Sequence, residues 1–261
     1  MIDRGSGRGD TDDGNRGRGV SRLRRAVPHG DAPVTHGLIA LCCLAFLCSP
    51  IAGLYPGYGT GERLATAQES FFARWGVIPA ELFAPTARAL VTPVTALFVH
   101  GSWLHLLGNM LFLYVFGAMT EARLGRLHFL GFYLGSGALA LFGYALAHSG
   151  SGQPLVGASG AISAVLGAFL YLFPRARVTS LFPFLLFLPL RFPAWVVLPF
   201  WVTLQWLALG RGGQGPGVAY LAHLIGFSVG FAYAWLRCHG RPAPEAEAAA
   251  KGRLPGAAPL E

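Results

Sequence analysis

The chain predicts an all-α fold: a polytopic membrane protein built as a bundle of six transmembrane helices. Three observations carry this. First, 53% of its 261 residues are hydrophobic and only 12% are charged, against about 25% charged in a typical soluble domain. Second, every Asp falls in the first 31 residues, and between Glu81 and Glu245 the only acid is Glu121. A stretch so poor in acids cannot cover a soluble surface. Third, apolar segments recur at about 36–54, 100–120, 127–147, 156–173, 193–209 and 218–237, and a helix needs about 20 apolar residues to cross a bilayer.

Residues 1–35 form a basic tail rich in Gly, Arg, Asp and Ser. So polar a segment buries too little to offset its ordering entropy, so disorder is expected. The domain proper is 36–237, and 238–261 is a second disordered tail of Ala, Pro, Glu and Gly. The first apolar segment ends at the turn-forming run Tyr55-Pro56-Gly57-Tyr58-Gly59. Residues 55–99 then mix charges, aromatics and prolines, as in Arg74-Trp75-Gly76-Val77-Ile78-Pro79. They read as short amphipathic helices at the membrane interface, not a span. The later connections hold the charges: Glu121, Arg123 and Arg126, then Arg175 and Arg177, then Arg211. The run 178–192 is apolar but carries Pro183, Pro189 and Arg191. It is expected to be an interfacial or re-entrant piece. Trp195, Trp201 and Trp206 are expected to mark interfaces and lipid-facing packing.

The net charge of +8 does not signal nucleic acid. Seven arginines precede residue 26, and most others flank apolar segments, as basic residues do on the cytoplasmic side of membrane proteins. Six spans put both termini on that side. Cys42, Cys43, Cys48 and Cys238 show no CxxC spacing, which argues against a metal or redox centre and for cysteines packed as small hydrophobes.

Spans two, four and six start at the outer face, and each carries polar residues near its start. Span two has His100, His105 and Asn109, span four has Ser159, and span six has His223. His105 and His223 lie roughly 8 Å below their segment starts, and Ser159 is a little shallower. Polar groups at that depth face the bundle interior or water, and are functional candidates. His105 and Asn109 share a helix face by their i,i+4 spacing. His100, five residues from His105, points elsewhere and is expected to play a lesser role as a loop contact, which argues against a three-histidine zinc site.

A serine hydroxyl needs a neighbouring base to become a nucleophile, and His223 can take and return the proton. His105, Asn109 and the backbone N–H of Ser159 can supply donors to an oxyanion. No Asp or Glu lies inside a span, so the chemistry open to the chain is a Ser–His dyad without a carboxylate. Gly157, Gly160 and Ala164 on span four, with Ala222, Gly226 and Gly230 on span six, form small-residue faces that let two backbones approach.

These residues resemble a known family. The pieces His100-Gly101-Ser102-Trp103-Leu104-His105-Leu106-Leu107-Gly108-Asn109, Gly157-Ala158-Ser159-Gly160 and Ala222-His223-Leu224-Ile225-Gly226-Phe227-Ser228-Val229-Gly230 are similar to those of rhomboid intramembrane serine proteases. Glu121-Ala122-Arg123-Leu124-Gly125 is also family-like. The resemblance covers about 36–237. It implies a rhomboid-like six-helix bundle that hydrolyses a peptide bond in or near the transmembrane helix of a membrane-protein substrate, with no metal or cofactor. It implies Ser159 as nucleophile, His223 as base, His105 and Asn109 on the oxyanion side, and Gly157, Gly160, Gly226 and Gly230 as support. It also implies that 55–99 abuts the bundle and that span five borders substrate entry. The expected partners are transmembrane-helix substrates and membrane lipids. The Gly, Ala and Arg bias suggests a bacterial plasma membrane, with the site opening outward. A non-catalytic binder of membrane helices is the competing class, and Ser159 with His223 favours the enzyme.

Overall fold

The computed structural model describes residues 32–182, 188–210 and 218–240. The disorder expected of the tails concerns residues outside this set, apart from their innermost few. Nine α-helices are described: α1 Pro33–Leu47, α2 Gly61–Trp75, α3 Pro79–Leu82, α4 Ala87–Thr95, α5 Trp103–Leu124, α6 Arg126–Ala147, α7 Ser159–Leu172, α8 Ala194–Gly210 and α9 Tyr220–Cys238. Each of the six apolar segments contains one helix. Of these helices, α5, α6 and α9 are long and apolar enough to cross a membrane, while α1, α7 and α8 are apolar but shorter.

The first segment departs from expectation at both ends. Its helix starts at Pro33, inside the stretch assigned to the tail, and stops at Leu47. The start is explained by Glu121, which is not in a connection but in the last turn of α5, 1% exposed. Its carboxylate accepts hydrogen bonds from Val34 N at 3.1 Å, Thr35 N at 2.7 Å and the Thr35 hydroxyl at 2.7 Å. The first N–H groups of a helix have no partner within it, and an anion there is favoured by the helix dipole. Glu121 therefore caps α1 from another helix. The stop follows from Pro50, which cannot extend a helix; Ser49 instead caps a 3-10 turn over Pro50–Ala52.

The all-α expectation needs one correction. Residues 177–182 and 188–193 form an antiparallel pair of strands, β1 Arg177–Phe182 and β2 Leu188–Pro193, in the register Arg177↔Pro193 to Phe182↔Leu188. Pro189 is compatible with a two-stranded ladder, where every strand is an edge, but not with a helix interior. Two backbone bonds close the base of the strand pair by joining the start of α8 to the connection after α7, Ala194 N to Ala176 O at 2.9 Å and Trp195 N to Pro174 O at 3.0 Å.

The centre of the molecule is α7. Residues Gly160 to Phe169 are all buried, the mark of a helix enclosed on every side. Helices α5, α6, α8 and α9 pack around it. The tightest contact is with α9, where glycine lets backbone meet backbone. A Cβ on Gly226 would strike the Gly160 carbonyl, one on Gly230 the Ala164 carbonyl, and one on Gly167 the Phe227 carbonyl.

Residues 55–98 fold as short helices against this bundle. Phe83 meets Phe142 of α6 edge-on at 5.3 Å. Val77 and Leu155 pair through two backbone bonds, of 3.0 and 2.7 Å, and Ala80 N reaches Ser151 O at 3.0 Å. The connection leading into α7 is thereby stitched to this segment.

Candidate active site

The site is built on the first turns of three helices. Ser102 opens α5, its hydroxyl accepting from His105 N at 3.1 Å. One residue earlier, Gly101 N donates to His105 Nδ1 at 3.3 Å. A neutral imidazole whose Nδ1 accepts carries its proton on Nε2. That edge faces Gly157: a Cβ built there would lie 2.9 Å from His105 Nε2, 2.8 Å from His105 Cε1 and 3.8 Å from Ser159 Oγ. Gly157 has φ +125°, where side-chain-bearing residues are strained. Its N–H holds the Ala96 carbonyl at 2.9 Å. The donor edge of His105 and the Ser159 hydroxyl thus share one small space, kept open by a glycine.

Asn109, one turn below His105, is 8% exposed, and its Nδ2 has no partner among the described residues. His223 lies in the first turn of α9. Its Nδ1 is 2.8 Å from Gln205 Oε1 on α8. A carboxamide oxygen accepts, so with Oε1 toward the ring the partner is an Nδ1–H, an arrangement that leaves Nε2 as the basic nitrogen. Trp201 and Tyr220 flank the ring at 6.0 and 6.3 Å.

A cavity of about 1230 Å³ joins these groups. Its lining includes His105, Asn109, Gly157, Ser159, Gly160 and His223. Ser159 and His223 are not hydrogen-bonded to each other; they line one cavity from two helices. Gly226 and Gly230 stand behind it, in the α7–α9 contact. No Asp or Glu is among the described lining residues. Among the described residues no group of three His, Cys, Asp or Glu is placed to hold a metal ion.

Two expectations change here, and one residue is new. His100 is not turned away from its neighbour: it lies in the loop before α5, 2% exposed, with its ring edge-on to His105 at 5.3 Å. The two imidazoles meet because His100 is off the helix, so helical spacing does not govern their geometry. Trp201 is not lipid-facing packing; it lies between α8 and α9, against His223 and Phe227. Trp195 and Trp206 are exposed, as expected. Gln205 was missed altogether. The available signal was an uncharged amide in an otherwise apolar helix, where a polar side chain needs a partner.

The model of the family described as "Rhomboid domain" matches residues 87–240. Three curated relatives are similar. "Rhomboid protein 1, mitochondrial" of Saccharomyces cerevisiae is 36% identical over 149 residues, 56% of this chain and 41% of that protein. "Presenilin-associated rhomboid-like protein, mitochondrial" of Bos taurus is 32% identical over 101 residues, 38% of this chain and 27% of that protein. "Presenilin-associated rhomboid-like protein A, mitochondrial" of Danio rerio is 33% identical over 97 residues, 36% of this chain and 25% of that protein. The chain therefore matches less than half the length of each.

Proposed function

The chain belongs to the rhomboid family, and from that premise we propose that it is an intramembrane serine endopeptidase. It is an integral membrane protein, with helices long and apolar enough to span. The reaction we assign is hydrolysis of a peptide bond in or near the transmembrane helix of a membrane-protein substrate, by a Ser159–His223 dyad and without a cofactor.

The observation that carries this reading is the convergence of Ser159, His105, Asn109 and His223 on one cavity, with a hydrogen-bond partner at Nδ1 of each histidine. His105 has a donor at Nε2, and His223 has its basic nitrogen at Nε2. In the proposed step His223 Nε2 takes the Ser159 hydroxyl proton as Oγ attacks the scissile carbonyl. The new O⁻ is met by the His105 Nε2–H, the Asn109 Nδ2–H and the Ser159 backbone N–H. The last belongs to the first residue of α7, where helix N–H groups are unpaired and the dipole favours negative charge. His223 then passes the proton to the leaving amine, and a water repeats the cycle on the acyl-enzyme.

Depth supports the same reading. With 14 residues, α7 is about 21 Å long, whereas the hydrocarbon core is about 30 Å thick. We place the C-terminus of this short central helix at one face, which leaves Ser159 below the other, under the cavity. In the six-span arrangement we propose, the basic connections place both termini in the cytoplasm and the cavity outside. The composition suggests a bacterial plasma membrane. A substrate helix must unwind to expose its amides, so Gly or Pro near the scissile bond favours cleavage.

The test compares wild type, Ser159→Ala and His223→Ala on a model membrane-spanning peptide with a Gly-rich juxtamembrane stretch, in detergent, with and without a metal chelator. Product from wild type alone, unchanged by chelator, is the expected result. Cleavage that survives Ser159→Ala refutes the serine mechanism.

A further inference from the structure

We propose that Gln205 is the positioning residue for the general base: its carboxamide oxygen holds His223 in the Nδ1–H tautomer, the role a carboxylate fills in Ser–His–Asp sites. The inference rests on the protease reading above and adds a residue to it.

The argument begins with what His223 lacks. A neutral imidazole divides between two tautomers, and only the one with a bare Nε2 can take the serine proton while Nδ1 is turned away. In triads a buried carboxylate accepts from Nδ1–H and fixes that choice. Among the described residues no carboxylate lines this cavity. Gln205 Oε1 occupies the accepting position instead, 2.8 Å from Nδ1. It carries no charge, so it fixes the tautomer without the cost of a buried anion.

The surroundings of Gln205 support the assignment. Leu204, Trp206 and Leu207 on either side of it are exposed, so Gln205 alone of these four turns to α9. The fully buried residues of α8, Ala194 and Leu198, both belong to its first half, before Pro199. Beyond Pro199, α8 is seated on α9 by the Trp201 ring, against His223 and Phe227, and by the Gln205 contact. Acceptor and base lie on different helices, so the tautomer of His223 depends on how α8 seats against α9. Ring packing cannot substitute: Trp201 and Tyr220 contact His223 by their faces and edges at 6.0 and 6.3 Å, which restricts its tilt but not its tautomer.

The test uses the full chain in detergent micelles with ¹⁵N-labelled histidine. The His223 resonances are identified by their loss in His223→Gln. Wild type is expected to show a protonated Nδ1 and a bare Nε2 at His223. Gln205→Leu is expected to mix the tautomers and lower kcat roughly ten- to a hundredfold, as lost orienting partners do. KM stays within about twofold, since the change acts on the chemical step. Gln205→Glu restores an acceptor and is expected to recover the Nδ1–H tautomer and most of the activity. A wild-type His223 protonated at Nε2 overturns the proposal, and that measurement needs no variant to fold. So does Gln205→Leu with an unchanged tautomer and kcat. A wild type that cleaves no peptide refutes the protease reading, while the tautomer, read without substrate, still decides the role of Gln205.

Discussion

Replacing Gly157 with alanine tests the geometry of the site most directly. The new Cβ would lie 2.8 Å from His105 Cε1 and 2.9 Å from Nε2. Non-bonded heavy atoms rest at about 3.5–4.0 Å, so the imidazole must withdraw by about 0.7–1 Å. It cannot withdraw and keep its place, because Gly101 N holds its Nδ1. The residue also sits at φ +125°, which adds strain on the order of 1–3 kcal/mol. A displacement of about 1 Å in a positioned group can cost about a hundredfold in rate, and loss of one oxyanion donor about the same or more. Gly157→Ala is therefore expected to lower kcat roughly a hundredfold. The thermal midpoint should fall only modestly, since the bond from residue 157 N to Ala96 O needs no side chain. Gly152→Ala is the control, in the same connection with nothing within 4 Å of its Cβ. Both would be assayed on the model peptide, with thermal unfolding followed in parallel. A folded Gly157→Ala that turns over within about threefold of wild type would show that His105 above Gly157 is not part of the chemistry.

Two further predictions concern the scaffold. Glu121→Ala leaves Val34 N, Thr35 N and the Thr35 hydroxyl without their acceptor; each buried orphan costs about 1–3 kcal/mol, so destabilisation on the order of 3 kcal/mol is expected in thermal or denaturant unfolding. Thr35→Val, which keeps both backbone bonds, should cost clearly less. Gly230→Ala drives a methyl into the Ala164 carbonyl, whereas Gly135→Ala meets nothing within 4 Å. The first should lower the thermal midpoint and the cleavage rate together by parting α7 from α9, and the second should stay within about 1 kcal/mol of wild type.

Much of this was legible in the chain itself. The scarcity of acids and the spacing of apolar segments marked each of the six main helices, because burial in lipid acts on composition. The polar residues of the site stood out for the same reason: Ser159, His105, Asn109 and His223 are conspicuous where their neighbours are apolar. The small residues along 157–164 and 222–230 announced the backbone contact of α7 and α9, since only such residues permit it; Gly167 joined them only in the structure. Three features needed the tertiary structure. Glu121 looked like a charge in a connection, because nothing local reveals that the N-terminus of α1 comes to rest on it. The strand pair of 177–182 and 188–193 defied a period-based reading, since a short apolar run with prolines fits several backbones. Above all, the tautomers of the two histidines were invisible. One depends on Gly101, four residues away, but through a backbone N–H that no residue name encodes. The other depends on Gln205, eighteen residues away on another helix. Hydrogen-bond direction is a property of where groups meet, and that is decided only when the helices pack.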